Sequence, residues 1–209
     1  MPAARSVEAP TPTKGERTSV RILDAAESVF AERGFEAASL REIARRAEIQ
    51  QPGLYNHFAS KRDLYSAVLD RALTPMAAAM TEAMQTARSR NALAGLPSIM
   101  TDLLLEHPQM AALFQQALQG EGSPGQELMR AWLDRLIAQG IDTARSGAGR
   151  PLDRAQLAIE VIAMFNVTTG YFLSQRVFDS LDVGALDDDA NVARQKALVE
   201  RIAKAIARR

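Results

Sequence analysis

Residues 39–58 read SLREIARRAEIQQPGLYNHF, and this stretch decides how the N-terminal part of the chain folds. Apolar residues at positions 40, 43, 47, 49 and 54 are spaced to form one seam between two short helices. Ala44 is small, which lets the helices cross closely. Pro52 is best tolerated in the first turn of a helix, so it marks where the second helix begins. The stretch predicts two helices joined by a short turn, with the second helix projecting from the surface.

Further helices flank this stretch on both sides. Upstream, apolar residues recur at helical spacing on one face: Ile22, Ala25, Ala26, Val29 and Phe30. Gly34 is predicted to end that helix. Ser39 is the expected N-cap of the next one, with Glu42 completing a capping box. Downstream, Ser60 is the expected N-cap of a helix that carries apolar residues as far as Ala72.

The remainder of the chain is also predicted to be helical. Apolar periodicity of about 3.6 residues recurs and no period-two alternation is present, which indicates no strands. The expected helices span residues 74–88, 91–106, 108–118, 124–145, 153–178 and 187–207. The predicted fold class is therefore all-α.

Composition excludes several classes of protein. The 209 residues contain 25 Lys and Arg against 25 Asp and Glu, and no cysteine. Without cysteine there is no disulfide framework, no Cys-ligated zinc and no thiol catalysis. Charged residues interrupt every long apolar run, and the first fifteen residues have no apolar signal core, so we expect neither a membrane span nor a secretory signal. A cytoplasmic protein is expected.

The exposed side of the second short helix carries groups that suit the edges of DNA bases. The side-chain amides of Gln50, Gln51 and Asn56 can pair with adenine, and Pro52 or the Tyr55 ring can contact a thymine methyl group. A helix-turn-helix DNA reader presents its second helix in this way. The segment therefore predicts binding to double-stranded DNA.

Nearby groups suit the DNA backbone. Arg41 can reach a guanine or a phosphate, while Lys61 and the free N–H groups that follow Ser60 suit a phosphate. Between Glu16 and Tyr65 there are eight basic and eight acidic residues. Because this region is not basic overall, we expect its DNA affinity to depend on individually placed contacts.

Two motifs within these helices are recognisable. LYNHF at residues 54–58 and SKRDL at residues 60–64 resemble the pattern of the TetR family of transcriptional repressors. The resemblance covers about 50 residues, from ILDAAESVFAERGFEAASL through IARRAEIQQPGLYNHF to SKRDLYSAVL. The rest of the chain resembles the family in being helical.

The resemblance implies a homodimeric regulator, most often a repressor, that binds a palindromic operator and responds to a small molecule. It implies base contacts from Gln51, Pro52, Tyr55, Asn56 and Arg41, and phosphate contacts from Tyr55, His57 and Lys61. With Ser39 and Gln50 from the same segment, the candidate DNA-binding residues are Ser39, Arg41, Gln50, Gln51, Pro52, Tyr55, Asn56, His57 and Lys61.

The sequence departs from the family pattern in the turn and at the start of the second helix. Glu48 stands where glycine is usual, because the turn needs a positive φ, and a glutamate there costs about 1 kcal/mol. Gln50 replaces the common serine N-cap and Pro52 replaces the common glycine.

Three regions follow from these patterns. Residues 1–15, with Pro2, Pro10 and Pro12, are predicted to form a disordered arm. Residues 16–65 are predicted to form the DNA-binding domain, and residues 66–209 a helical domain for effector binding and dimerisation.

Dimerisation is suggested by two apolar helices. Residues 157–167 are apolar nearly all round, and the last helix has a broad apolar stripe. Together they can form half of a four-helix bundle that a second copy completes. The alternative is that both helices pack within one subunit.

Large and adaptable side chains in the second domain suggest a cavity for an apolar effector. The candidate effector-binding residues are Met80, Met100, Phe114, Trp132, Phe165 and Asn166.

Other readings account for less of the sequence. A helical enzyme or binding protein for a small apolar molecule leaves the N-terminal motif unexplained, and no nucleophile and base stand at a recognisable spacing. An adaptor that uses the motif for protein contact predicts no salt-dependent DNA binding.

Gly120 to Gly125 match G-x-G-x-x-G, but they do not follow a strand as a dinucleotide site requires. His57 and His107 lack zinc-ligand spacing. We therefore expect no metal, no cofactor and no enzymatic activity.

Overall fold

Ten α-helices occupy the residues that the computed structural model describes, which are 13–86, 94–119, 122–146 and 153–207, and no strand lies among them. The helices are α1 Lys14–Ala37, α2 Leu40–Arg46, α3 Gln51–Tyr55, α4 Lys61–Thr86, α5 Leu96–Glu106, α6 Gln109–Gln119, α7 Pro124–Ser146, α8 Arg154–Phe172, α9 Gln175–Leu181 and α10 Asp189–Ala207. The all-α prediction is confirmed.

Helix α1 begins before the predicted end of the N-terminal arm. The Thr13 hydroxyl accepts the Glu16 N–H at 3.2 Å, and Glu16 Oε2 accepts the Thr13 N–H at 2.6 Å. This reciprocal pair is a capping box, which satisfies two N–H groups that the helix would otherwise leave unpaired. The predicted arm of residues 1–15 is therefore wrong for residues 13–15, and residues 1–12 lie outside the described residues. Gly34, the predicted end of this helix, has a non-helical φ of 74° and kinks α1, but helical backbone resumes after it as far as Ala37.

The predicted capping box at the start of α2 is wrong. Ser39 makes no side-chain cap hydrogen bond. The Glu42 carboxylate instead accepts hydrogen bonds from Arg45 Nη2 at 2.8 Å and from Arg46 Nε at 2.9 Å. Charge-assisted hydrogen bonds to a guanidinium are stronger than a bond from a neutral backbone N–H, so the two arginines draw Glu42 away from the cap.

Helix α4 is longer than predicted, because it continues through Pro75 as far as Thr86. The sequence had predicted one helix to Ala72 and another from residue 74. A proline inside a helix removes one backbone hydrogen bond. Here the neighbouring side chains of Leu73 and Met76 are buried in the core, and their packing holds the helix across the proline.

The predicted helix 153–178 is divided into α8 and α9. Helix α8 ends at Phe172, and α9 begins at Gln175. The Ser174 hydroxyl donates to the Gly170 carbonyl at 2.7 Å, and the Leu173 N–H donates to the same oxygen at 3.2 Å. These two bonds satisfy a carbonyl at the end of α8 and allow the chain to turn.

An aromatic cluster joins the N-terminal helices to the rest of the protein. The Tyr65 ring on α4 lies 4.8 Å from the Phe30 ring and 5.0 Å from the Phe35 ring, measured between centroids. Burial raises the pKa of Tyr65 to about 12. A Cβ atom at Gly125 on α7 would lie 2.8 Å from Tyr65 Cε1, so only glycine allows this close approach.

The predicted domain boundary at 65–66 falls inside α4, which runs through both regions.

Candidate nucleic-acid interface and ligand cavity

The turn between α2 and α3 is closed by backbone hydrogen bonds. The Ala47 N–H donates to the Ile43 carbonyl at 2.9 Å, and the Ile49 N–H donates to the Ala44 carbonyl at 3.0 Å. Glu48, which lies between them, has a φ of 54°. The positive φ expected at this position is confirmed, and it reverses the chain direction so that α3 can cross α2.

The predicted apolar seam holds α3 in place. Ile43, Ala47 and Leu54 are buried, while Leu40 and Ile49 are half-buried and pack against the same core. Leu54 is the only fully buried residue of α3, a helix of five residues. Because one anchor points inward, the remaining side chains of α3 point outward.

Most of the candidate DNA-binding residues lie on this outward side. Tyr55 is 50% exposed. The structure leaves eight of the nine candidates exposed: Ser39, Arg41, Gln50, Gln51, Pro52, Tyr55, Asn56 and His57. These residues come from the start of α2, from the residue before α3, from α3 itself and from the turn after it.

Lys61, the ninth candidate, lies apart from this exposed group. It is half-buried, and its Nζ donates to the Glu36 carbonyl at 2.9 Å. The ammonium also lies 4.8 Å from the centroid of the Phe35 ring, within the range of a cation–π interaction. The side chain therefore has internal partners at the end of α1.

The start of α4 is capped as predicted. The Ser60 Oγ accepts the Asp63 N–H at 3.1 Å and donates to Asp63 Oδ2 at 2.7 Å. Lys61 and Arg62 occupy the first turn of the helix. The N-terminus of this long helix therefore lies next to α3, where its dipole favours an anion.

A group of charged side chains holds α2 against α1. Arg46 donates to Glu32 at 2.6 Å and to the Ser28 hydroxyl at 3.0 Å. Hydrogen bonds from Arg46 lower the pKa of Glu32 to about 2, and those from Arg45 and Arg46 lower the pKa of Glu42 to about 2. Arg46 thus fixes the position of α2 on α1.

The C-terminal helices enclose an apolar cavity of about 140 Å³ that is partly open to solvent. Helices α4, α5, α7, α8 and α10 contribute to its wall. The ring centroids of Trp132 and Phe165, which both line the cavity, lie 6.1 Å apart. Helices α7 and α8 approach each other closely at Gly140. A cavity of this volume and lining suits a small apolar molecule.

Four of the six candidate effector-binding residues line this cavity, namely Met80, Met100, Trp132 and Phe165. Phe114 and Asn166 do not. Phe114 is fully buried behind the wall, with its ring 5.8 Å from that of Phe165. Asn166 lies on the other face of α8, where its side chain accepts from Gln115 Nε2 at 3.0 Å and donates to the Ile162 carbonyl.

The sequence reasoning missed most of the aliphatic lining. These residues include Leu96, Leu136, Leu157, Val161 and Ile206. Leu157, Val161, Met164 and Thr168 recur at intervals of three or four along α8, which is the spacing of one helix face. This spacing can be read from the sequence. It is the same, however, for a helix face that lines a cavity and for a helix face that packs in the core.

A second face of α8 is apolar and exposed in the single chain. Ile159 is 63% exposed and Ile162 is 43% exposed. Leu198 on α10 is also exposed, as are Val177 and Leu181 on α9. Large apolar side chains clustered on neighbouring helices indicate an interaction surface.

Neither a single membrane-spanning helix nor a metal-binding cluster lies among the described residues. No single helix in the described part of the chain is both long enough and apolar enough to cross a bilayer. Helices α8 and α9 reach that length and hydropathy only when taken together, and they are bent by 59° relative to each other. The described residues also contain no group of three or more His, Asp or Glu side chains arranged to hold a metal ion.

Comparisons with known proteins agree with the helix-turn-helix geometry. Residues 22–68 match the model of bacterial regulatory proteins of the tetR family. The transcriptional activator FasR of Mycolicibacterium smegmatis is 44% identical over 66 residues, which are 32% of this chain and 30% of FasR. The transcriptional regulator UidR of Escherichia coli is 27% identical over 191 residues, which are 90% of this chain and 78% of UidR.

The same fold is found in a solved structure. The transcriptional regulator FadR from Bacillus subtilis, in complex with stearoyl-CoA, aligns with a TM-score of 0.68 and 17% identity. The alignment covers 90% of this chain and 97% of FadR. The family model matches the helices that hold the exposed α3, so residues 22–68 carry the DNA-binding helix-turn-helix of the TetR family of transcriptional regulators.

Proposed function

We propose that this regulator is a repressor that binds a palindromic operator as a homodimer and releases it when a small apolar effector enters the cavity. The observation that carries the proposal is the exposed surface of α3, which presents amide and aromatic groups outward from the single buried anchor Leu54. Residues 16–65 would bind DNA in the cytoplasm, and residues 66–209 would bind the effector and the second subunit.

The proposed DNA contacts follow from the position of each residue. Gln51, Pro52, Tyr55 and Asn56 lie on or just after α3 and face the bases, with Arg41 beside them at the start of α2. His57 and Lys61 would contact phosphates, as would Tyr55 in addition to its base contact, and the Gln50 amide would pair with a base. Ser39 lies at the edge of this surface. To contact a phosphate, Lys61 must give up its hydrogen bond to the Glu36 carbonyl.

Dimerisation is supported by the exposed apolar side chains of α8 and α10. Two copies of each helix would form a four-helix bundle, which removes these side chains from water. The bundle must place the two α3 helices one DNA turn apart, about 34–36 Å, so that they enter successive major grooves.

An apolar effector is supported by the cavity lining and by a structural neighbour. The wall consists mostly of Leu, Met, Val, Ile and Ala side chains with two aromatic rings. FadR, which shares the fold, is in complex with stearoyl-CoA. An effector favours release of DNA only to the extent that it binds the conformation that does not fit DNA more tightly than the conformation that does.

The proposal is tested by finding the operator and then removing single base contacts. Gln51→Ala and Tyr55→Ala are each expected to weaken specific operator binding by about 1–3 kcal/mol, because each removes one base contact. Binding of the Gln51→Ala variant to unrelated DNA is expected to change little, since phosphate contacts dominate that binding and Gln51 is assigned none. Fluorescence anisotropy over a range of salt concentrations measures both.

A matched control is Glu36→Gln, an exposed substitution at the end of α1 that leaves the backbone carbonyl bonded to Lys61 in place. Equal loss of binding to operator and unrelated DNA in the α3 variants would contradict the assignment of base contacts.

Activation is the second candidate function, because FasR, which is 44% identical over the matched 66 residues, is a transcriptional activator. A reporter gene placed behind the operator separates the two. Its expression is expected to fall when this protein is supplied, and a rise would show activation instead.

A further inference from the structure

Many of the basic side chains in the DNA-binding region already have partners within the protein. Of the eight between Glu16 and Tyr65, four donate hydrogen bonds to internal acceptors: Arg45, Arg46, Lys61 and Arg62. Helix α3 itself contains no Lys, Arg, Asp or Glu. Attraction to the DNA backbone depends on cations that replace the counterions of phosphates. Other basic side chains therefore have to supply that attraction.

Three basic residues at the start of α1 are available for this purpose. Lys14, Arg17 and Arg21 follow one another at intervals of three and four residues, so they lie on one face of the helix. All three are exposed. The side chains of Lys14 and Arg17 form no hydrogen bond or ion pair within the part of the chain that the structure describes. These three residues form the α1 basic stripe.

The α1 basic stripe reaches the turn of the helix-turn-helix. Arg21 Nη1 lies 3.8 Å from Oε2 of Glu48, the residue with positive φ between α2 and α3. Lys14 precedes Arg21 by seven residues, so the stripe extends about 10 Å along α1 from that turn. The N-terminal part of α1 therefore lies beside the segment that leads into α3.

Nearby acidic residues leave most of the stripe unpaired. The Glu16 carboxylate is held by the Thr13 N–H in the capping box, and Asp24, the next residue on the same face, accepts a hydrogen bond from Arg71 at 2.7 Å. Glu48 lies against Arg21 and offsets the charge of that member of the stripe. Lys14 and Arg17 are the members best placed to attract a phosphate.

We propose that the α1 basic stripe is a second DNA-contacting surface, in which Lys14 and Arg17 bind backbone phosphates beside the groove that α3 enters. Arg21 has a different role, because it offsets the negative charge of Glu48 next to the DNA. This inference rests on the proposed function, since it takes α3 to be the helix that enters the major groove. It divides the work between two helices: α3 distinguishes sequences, and α1 supplies affinity that is independent of sequence.

The salt dependence of DNA binding tests the proposal without knowledge of the operator. The full-length protein is titrated into a labelled DNA duplex of unrelated sequence at salt concentrations of about 50 to 200 mM, and binding is followed by fluorescence anisotropy. Lys14→Gln and Arg17→Gln are each expected to make the slope of log affinity against log salt less steep by about 0.9 for every bound subunit. Once the operator is known, the affinity for it should fall by the same factor as the affinity for unrelated DNA.

Two further variants locate the effect. Arg135→Gln, the matched control, removes one positive charge from an exposed position of α7, outside residues 22–68, and is expected to leave the slope unchanged. Glu48→Gln removes the carboxylate beside Arg21 and is expected to tighten binding to unrelated DNA, because Arg21 then faces the phosphates without an opposing charge.

Three results would overturn the inference and leave the proposed function in place, provided that Gln51→Ala still weakens operator binding. The first is an unchanged slope in a variant that carries both Lys14→Gln and Arg17→Gln. The second is an Arg135→Gln effect as large as that of Arg17→Gln, because affinity would then follow total charge. The third is weaker or unchanged binding after Glu48→Gln. If the unchanged protein binds no duplex in a salt-dependent way, the inference and the proposed function both fail.

Discussion

At the scale of single residues, Glu48 is held in a conformation that does not suit its side chain. Its φ of 54° lies in the left-handed region, which costs a non-glycine residue about 1 kcal/mol. The side chain is 84% exposed, and its Oε2 lies 3.8 Å from Arg21 Nη1. An exposed ion pair at that distance contributes little to stability. The turn between α2 and α3 is therefore formed because the seam on either side is buried, and in spite of Glu48.

This conflict predicts a stabilising substitution. Glu48→Gly should raise the free energy of unfolding above that of Glu48→Ala by about 0.5–1 kcal/mol, since only glycine adopts this φ without strain. The greater freedom of glycine in the unfolded chain offsets part of the gain. Urea denaturation measures the difference. Equal stability of the two variants would show that the left-handed φ causes no strain here.

At the scale of secondary-structure elements, the position of α2 depends on Arg46. Its guanidinium bonds to Glu32 on α1 and to Glu42 on α2. Hydrogen bonds from Arg46 lower the pKa of Glu32 from 4.5 to about 2, and those from Arg45 and Arg46 lower the pKa of Glu42 to about 2. A carboxyl group whose pKa is lower in the folded protein stabilises the fold above its unfolded pKa. That contribution is lost as the pH falls from about 4.5 toward 2.

Removal of Arg46 should therefore change the acid sensitivity of the protein. Arg46→Gln is expected to lower the thermal midpoint at pH 7 and to make its decrease between about pH 4.5 and pH 2 less steep. High salt should reduce the difference in thermal midpoint between Arg46→Gln and the unchanged protein, because these charged groups are near the surface. Thermal unfolding followed by circular dichroism measures both effects.

The control for this experiment is Arg41→Gln, the same substitution at an exposed position of the same helix. If Arg41→Gln flattened the acid response as much as Arg46→Gln, the effect would come from net charge and not from the contacts with Glu32 and Glu42.

At the scale of the whole molecule, neighbouring glutamines of α6 connect the cavity wall to the N-terminal helices. Gln115 Nε2 donates to Asn166 and Thr169 on α8, whose neighbours Phe165 and Thr168 line the cavity. Gln116 Nε2 donates to the Ala31 carbonyl on α1 at 3.0 Å. If a ligand shifted α8, these hydrogen bonds would connect that shift through α6 to α1, the helix against which α2 is held.

The exposed apolar face predicts the oligomeric state. Ile159→Glu should convert a dimer to a monomer and abolish specific operator binding, because a charge would be buried in the proposed bundle. Sedimentation velocity and anisotropy on the same samples measure the two effects. Val20→Glu replaces an apolar side chain of similar exposure, 52%, on α1, and it should leave the dimer intact. A monomeric unchanged protein at operator-binding concentrations would contradict the proposal.

What the sequence determined by itself is the apolar seam between α2 and α3, the cap at Ser60 and the outward side of α3, because these features depend on local signals. The seam, the cap at Ser60 and the outward side of α3 follow from the spacing of apolar residues and from the residue types at a helix start, while the positive φ at Glu48 is implied by the resemblance to the TetR family. Neighbours close in the chain produce these features, so they can be read without knowledge of the tertiary fold.

Only the tertiary structure decided which helices meet. Core packing keeps α4 intact through Pro75, and the contact between α1 and α4 gives Lys61 a partner in Glu36. Packing also placed Phe114 behind the cavity wall and Glu160 in it. Each outcome depends on side chains far apart in the chain, because burial and charge pairing are set by proximity in space and periodicity reports only which face of a helix is apolar.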